Sequence, residues 1–257
     1  MQEYRKPLFH KGRVLKKEGL EALRDFPSGF AETYMAGWAD GILAGFDISY
    51  KKENDGKGRV VVSAGAVWHK GNIILSGEEI FSFEEFDRQI IIKLYILPVL
   101  NTEDFEIYPL EIRMEMEEEN RSGGLELGRF RLSQGASLRK EYQDMQDFHT
   151  AYNTLDITNI PYAGPGGITV SPVLLKIFAR MVFSSRTSKE SDISFALMCL
   201  GRQPVPRECL LQYISYRLGT VYREMEHSQI YKCLVQIAGT GNGGSHKTRG
   251  KEGPAVF

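Results

Sequence analysis

Apolar residues recur at helical spacing over Lys16–Trp38: Leu20, Leu23 and Phe26 share one face, and Phe30, Tyr34 and Trp38 continue it. Pro27-Ser28-Gly29 reads as an interruption of that helix, and Asp40-Gly41 as a turn. From Ile42 the period falls to two. Phe46, Ile48 and Tyr50 alternate with polar or small neighbours, Asn54 to Gly58 forms a turn, and Val60-Val61-Val62 is β-branched. Gly65 and Gly71 flank Ala66-Val67-Trp68-His69, and Ile73-Ile74-Leu75 follows, which predicts short strands joined by tight glycine turns. Gln89 to Leu97 is a near-continuous apolar run, the pattern of a strand covered on both faces. Over Glu111–Glu117, Ile112, Met114 and Met116 point one way and Glu111, Arg113, Glu115 and Glu117 the other, which predicts a half-solvated strand. Arg121 to Gly124 is a turn, and Leu125 to Leu132 a further alternating strand.

After Gly135 the pattern changes. Leu138 to Tyr152 is polar and aromatic and fits either a helix or an irregular path, and Pro161 to Gly167 reads as a loop or linker. Ser171-Pro172 has the form of an N-cap with proline at the first helical position, ahead of a stripe of Val173, Leu174, Ile177, Phe178, Met181 and Val182. Thr187 to Glu190 has capping-box spacing before Ile193, Ala196, Leu197 and Leu200, with Gly201 to close that helix. Glu208–Leu218 and Val221–Ile237 carry two more apolar stripes, and four helices in succession suggest a small bundle. The expected fold class is α+β: an N-terminal helix plus a mostly antiparallel β-rich domain over 1–135, a connecting segment over 136–167, a C-terminal helical bundle over 168–238, and a flexible glycine-rich tail over 239–257.

Composition narrows the classes. A net charge of −1 draws the chain neither to nucleic acid nor to an anionic membrane. The longest apolar run, Ile90 to Leu100, contains Lys93 and Pro98 and falls short of the ~20 residues a spanning helix needs, and Met1 to Lys17 has no apolar core of a secretory signal. Cys199, Cys209 and Cys233 form no CxxC pair, so they read as buried reduced thiols, which places the chain in the cytoplasm.

Candidate chemistry is sparse. Gly241 to Thr248 lacks one residue of a phosphate-binding loop, because His246 stands where the last glycine should be, and nothing after Thr248 resembles the helix such a loop requires. His10, His69, His149, His227 and His246 show no metal-ligand spacing, and His69 beside Trp68 reads as a solvent-facing turn residue. No GxSxG elbow is present. The pairs Glu78-Glu79 and Glu84-Glu85 and the run Glu117-Glu118-Glu119 provide carboxylates without a cleft, and the last reads as a solvated edge. Tyr213, Tyr216, Tyr222 and Tyr231 fall in apolar stripes, which favours packing over base stacking, while Arg217, Arg223 and Lys232 offer a modest basic face. No catalytic, cofactor-binding or metal-binding residue is assigned, and no cofactor.

Three stretches together resemble a known group. Asp40 to Asp47 (DGILAGFD) followed by Val61 to Val67 (VVSAGAV), and extended by Gly71-Asn72-Ile73-Ile74, resembles the N-terminal pattern of phage tail and baseplate-associated proteins. Leu125 to Leu132 with Gly135 to Arg139, and then Tyr152 to Ile157 with Pro161-Tyr162-Ala163, looks like uncharacterised proteins of prophage-like tails or contractile injection systems, some of which carry a helicase label. The resemblance implies a non-enzymatic structural or assembly component of such a particle, acting in the cytoplasm or within the particle. Its partners would be other proteins of the assembly or further copies of itself, without membrane or nucleic acid. The alternatives left open are an enzyme with an unrecognised active site and a nucleic-acid-binding protein. A pocket with convergent polar groups would favour the first, and a large apolar patch would favour the structural role.

Overall fold

The structure is a computed structural model that describes residues 6–52, 58–117 and 123–241. One helix, α1 (Lys17–Tyr34), precedes eleven strands: β1 (Gly41–Gly45), β2 (Ile48–Lys52), β3 (Gly58–Val62), β4 (Gly65–His69), β5 (Asn72–Ser76), β6 (Glu79–Phe83), β7 (Gln89–Ile96), β8 (Leu100–Asn101), β9 (Glu106–Ile107), β10 (Leu110–Met116) and β11 (Leu125–Arg131). A 3-10 turn at Asp147–His149 leads to α2 (Pro172–Ser184), α3 (Glu190–Cys199), α4 (Arg207–Leu218) and α5 (His227–Gly241). The strands form antiparallel sheets in the orders β1-β4-β5, β2-β3-β6 and β10-β7-β11, with β8-β9 as a separate hairpin. The class is α+β, as the change of period from helical to alternating and back implies.

Local chemistry sets several of these paths. The unbroken run of β7 becomes the middle strand of its sheet, with Ile90, Ile91, Ile92 and Leu94 buried, because a strand covered on both faces has no solvent side to alternate with. Gly41 lets the 161–163 backbone lie against β1: a Cβ there would stand 2.6 Å from the Ala163 nitrogen and 2.7 Å from the Pro161 oxygen. The Ile42 N–H donates to the Pro161 oxygen and the Ala163 N–H to the Ile42 oxygen in return. At the other end of β1, Gly45 has φ +75° and lies against the Ala64 carbonyl, a conformation and a clearance that favour glycine.

The alternation of β10 makes a polar side that is solvated only in part. Glu115 is buried and ion-paired with Lys93 at 3.8 Å, and it accepts a hydrogen bond from the Tyr95 hydroxyl at 2.7 Å. Charges on adjacent strands satisfy one another, so Glu115 is covered where water was expected, while Glu111 and Arg113 stay partly exposed and Glu117 exposed. In β11 the register shifts between Glu126 and Gly128, and Gly128 sits at φ +151° with Ile48 and Leu155 side chains closing in. Segment 136–167 is largely irregular, yet Met145, Phe148, Leu155, Ile157 and Ile160 join the same buried cluster as β1, β7 and the helices, which extends to Ala238.

The helices depart from expectation mainly at their starts. Ser171 caps α2, its hydroxyl accepting the Val173 N–H at 3.3 Å. The start of α3 is organised by Asp192, whose carboxylate accepts the Lys189 N–H at 2.9 Å, whereas Thr187 turns back to the Ser185 hydroxyl. α4 ends at Gly219, in the left-handed conformation at φ +67°. α5 begins at His227 instead of Val221. The stretch before it is held by Arg207, which donates to Glu224 at 2.8 Å and to the carbonyls of Ile168 and Met225 at 2.8 and 2.6 Å. α5 continues through Gly241, so the first residues of the expected flexible tail are helical; the remainder, with the phosphate-loop-like residues from Asn242 to Thr248, lies outside the described residues.

Candidate functional site

α1 is amphipathic, yet it buries none of its residues. Leu20, Leu23, Phe26, Phe30 and Tyr34 are each between 50% and 61% exposed. Phe26, Phe30 and Tyr34 stack on one another along the helix, with ring centroids 6.4 and 5.8 Å apart, and Pro27 continues the helix where an interruption was expected. The body holds α1 near its C-terminal end. There Met35 packs with Trp68 and Ala163 in a small cluster of its own, joined by Ala31, Trp38 and Leu43. The Tyr34 hydroxyl accepts a hydrogen bond from the Gln203 amide at 3.0 Å. Ahead of the helix, Leu8, Phe9, Val14 and Leu15 are also exposed, so the apolar surface continues onto the arm.

That surface is expensive as it stands. Pro27 removes one helical hydrogen bond and costs about 3 kcal/mol, and Gly19 and Gly29 cost about 1 kcal/mol each relative to alanine. Isolated helices shorter than ~12–15 residues are marginal in water even when alanine-rich, and α1, at 18 residues, is little longer and far from alanine-rich. Covering five half-exposed large side chains returns on the order of 5 kcal/mol, about what the proline and glycines cost. The arrangement therefore fits a helix completed by contact with another surface. Smaller apolar groups are exposed elsewhere, notably Leu100, Phe105 and Ile107 around the β8–β9 hairpin and Leu197, Met198 and Leu200 at the end of α3.

A polar cleft lies between β11, the 147–159 segment and the start of α5. It has a volume of about 410 Å³ and is lined by Arg129, Arg131, His149, Thr154, Asp156 and Thr158 among others. Asp156 accepts from the Thr158 N–H and hydroxyl at 2.8 and 2.7 Å, and its other oxygen lies 3.6 Å from the His149 ring nitrogen. Burial holds the Asp156 carboxyl above its usual range, outweighing the Thr158 bonds and the nearby His149 and Arg129 charges. The Thr158 hydroxyl donates its hydrogen bond to the Asp156 carboxylate and lies 3.4 Å from the His149 Nε2. Arg129 is clamped by Glu126 at 2.7 and 2.6 Å, and Arg131 lies over the Tyr152 ring while donating to the Asp87 carbonyl. These groups lock the irregular segment onto the sheet.

The chain is similar to a crystal structure of TssK, with a TM-score of 0.37 and 10% identity over 91% of this chain and 67% of that one. It is also similar to a chain of the type VI secretion system TssK-TssF-TssG baseplate subcomplex, with a TM-score of 0.38 and 9% identity over 93% of this chain and 100% of that one. No family model matches the chain. No curated protein matches it.

The residues singled out from the sequence are scattered. His69 is not a free turn residue: it ends β4 with its Nδ1 2.7 Å from Asp40, which also receives the Lys70 N–H. His10 is exposed, and His227 is half-buried, with its Nδ1 3.3 Å from the Asn159 carbonyl and its pKa lowered by burial. His246 lies outside the described residues. Of the thiols, Cys199 is buried and its pKa is pushed up to about 12, Cys233 is partly buried, and Cys209 is exposed, contrary to the expectation that all three are buried. Tyr213 and Tyr231 are in the core, whereas Tyr216 is 76% exposed and Tyr222 precedes α5. Arg217 is not part of an open basic face, since it donates to buried Asp192 at 2.7 Å. Glu78, Glu79, Glu84, Glu85 and Glu117 are exposed, while Glu118 and Glu119 lie outside the described residues. Among the described residues no group of three or more His, Cys, Asp or Glu is placed to hold a metal ion, and no helix is long and apolar enough to cross a membrane. Asp192, Asp156 and Arg207 organise the back half partly through groups distant along the chain: Tyr213 and Arg217 for Asp192, the Arg129 charge for Asp156, and Glu224 with the Ile168 and Met225 carbonyls for Arg207, contacts that the local sequence does not announce.

Proposed function

We propose that the protein is a structural or assembly component that works through protein–protein contacts, with the outer face of α1 as a principal contact. One observation carries this reading: an amphipathic helix with a proline and two glycines that buries no residue in its own chain. Exposed apolar stripes of this kind mark interaction surfaces. The particle we have in mind is a contractile, phage-tail-like one. The support for that narrower part is the sequence pattern around Gly41–Gly45 and Gly65, whose glycines serve close backbone and ring contacts in β1 and β4. Within this proposal the protein has no catalytic role, and it acts in the cytoplasm or as part of the particle.

The test is co-expression of the chain with the products of its neighbouring genes, followed by affinity and size separation. A defined complex is expected. Leu23→Glu combined with Phe30→Glu should abolish it while leaving the melting temperature of the body unchanged. If the chain stays monomeric with every neighbour and particles form normally without it, the reading is wrong.

A further inference from the structure

We infer that the recess between the end of α1, the start of α2 and the 199–205 loop binds a small carboxylate with an apolar aliphatic or aromatic body. This goes beyond the assembly reading and does not rest on it, because Leu20, Leu23, Phe26 and Phe30 of the outer α1 face do not line the recess. The recess has a volume of about 460 Å³, within the ~300–1,000 Å³ of small-molecule sites. It opens where the two buried clusters of the chain meet. Met35 and Ala163 of the smaller cluster form one side, and Leu175, Cys199 and Val205 of the larger one form the other.

The interior is apolar and already formed. Met35, Leu175, Cys199 and Val205 are each at most 7% exposed. Burial raises the pKa of the Cys199 thiol, so the wall carries no charge there. Trp38, a further wall residue, is fixed through its backbone: it bridges to Pro165, and the next N–H, of Ala39, donates to the Gly164 carbonyl at 3.1 Å. Gln203 ties the 199–205 loop to α1 by its bond to the Tyr34 hydroxyl at 3.0 Å. Walls held in this way lower the cost of ordering a bound molecule.

Charge selects the ligand. Among the described residues, the charged side chains that line the recess are Lys176 and Arg202, both cationic and both exposed at its edge, and no carboxylate lines it. The recess also borders the first turn of α2, where the helix dipole favours negative charge. An apolar body fills the interior and leaves its carboxylate at the edge, beside Lys176 and Arg202, where charge-assisted hydrogen bonds are the strong ones. A neutral molecule of the same shape leaves both cations unanswered, and a cationic one is repelled.

The full chain is titrated with octanoate and with phenylbutyrate. Tryptophan emission follows the binding, since Trp38 lines the recess and Trp68, the other tryptophan of the chain, packs with Met35. Saturable binding of at least one of the two is expected, with a dissociation constant below about 1 mM, within reach of a ligand of this size. The alcohol of the same skeleton, octanol or phenylbutanol, should bind at least about tenfold more weakly, the worth of one charge-assisted bond. Lys176→Glu with Arg202→Glu should weaken the carboxylate at least about tenfold, while the affinity for the alcohol and the unfolding midpoint stay the same, because both side chains are exposed. Leu23→Glu with Phe30→Glu should leave the carboxylate affinity unchanged, which separates this site from the outer face of α1. Four results would each overturn the inference: no saturable binding of either carboxylate, equal affinity for carboxylate and alcohol, an affinity that survives the charge reversal, or one that is lost with the α1 substitutions.

Discussion

At the scale of single residues, the back half turns on polar groups that the apolar pattern does not announce. Burial alone would raise the pKa of Asp192, but hydrogen bonds from Arg217, the Lys189 N–H and Tyr213 outweigh it and hold the carboxyl below its ordinary value. A group whose pKa is lowered on folding contributes stability above its unfolded value and loses it as pH falls through the folded value. The wild-type chain should therefore lose stability below about pH 4 in a way that Asp192→Asn does not, as read from denaturant midpoints across pH. Asp192→Ala leaves the Arg217 charge without its partner and should cost about 3 kcal/mol at neutral pH. Tyr231→Phe removes a hydrogen bond to the buried Met145 carbonyl and should cost about 1 kcal/mol with no change in fold.

At the scale of elements, the caps and the exposed helix give opposite expectations. Ser171→Ala should lower stability by about 1 kcal/mol, measured by chemical unfolding, because the Val173 N–H loses its acceptor. Substitutions on the outer face of α1 should leave the isolated body's unfolding midpoint nearly unchanged, since they remove no buried contact. Most elements were legible in the sequence. Alternation, β-branched runs and glycine turns marked most strands but not β6, β8 or β9, the apolar run of β7 marked a doubly covered strand, and Ser171-Pro172 marked the start of α2. What could not be read depends on long-range geometry. An apolar stripe looks the same whether it faces a core or a partner, so the stripe of α1 gave no sign that its own chain leaves it open. Val221 and Tyr222 continue a helical pattern, but Arg207 bonds to Glu224 and to the Met225 carbonyl and holds a stretch that is not helical. The alternation of β10 could not reveal that Lys93 and Tyr95 on the neighbouring strand cover Glu115.

At the scale of the whole molecule, one buried cluster runs from Ile42 to Ala238 through the irregular 136–167 segment, and α1 stands outside it. Calorimetry of the chain should accordingly give one cooperative transition for the strands and α2–α5 together, since Phe148 and Leu155 share the core of both. In the proposed function, the apolar face of α1 is the part of the molecule whose stability is left to a contact with another chain. Hydrogen exchange tests this most directly, with the amides of α1 and β7 followed in the wild-type chain and in the Leu23→Glu, Phe30→Glu chain under conditions where the wild type is assembled. The expected result is strong protection of residues 20–34 in the wild type, its loss in the variant, and unchanged protection of β7. Equal and slow exchange of α1 in both chains would show that the helix is stable on its own and would contradict its role as an assembly surface.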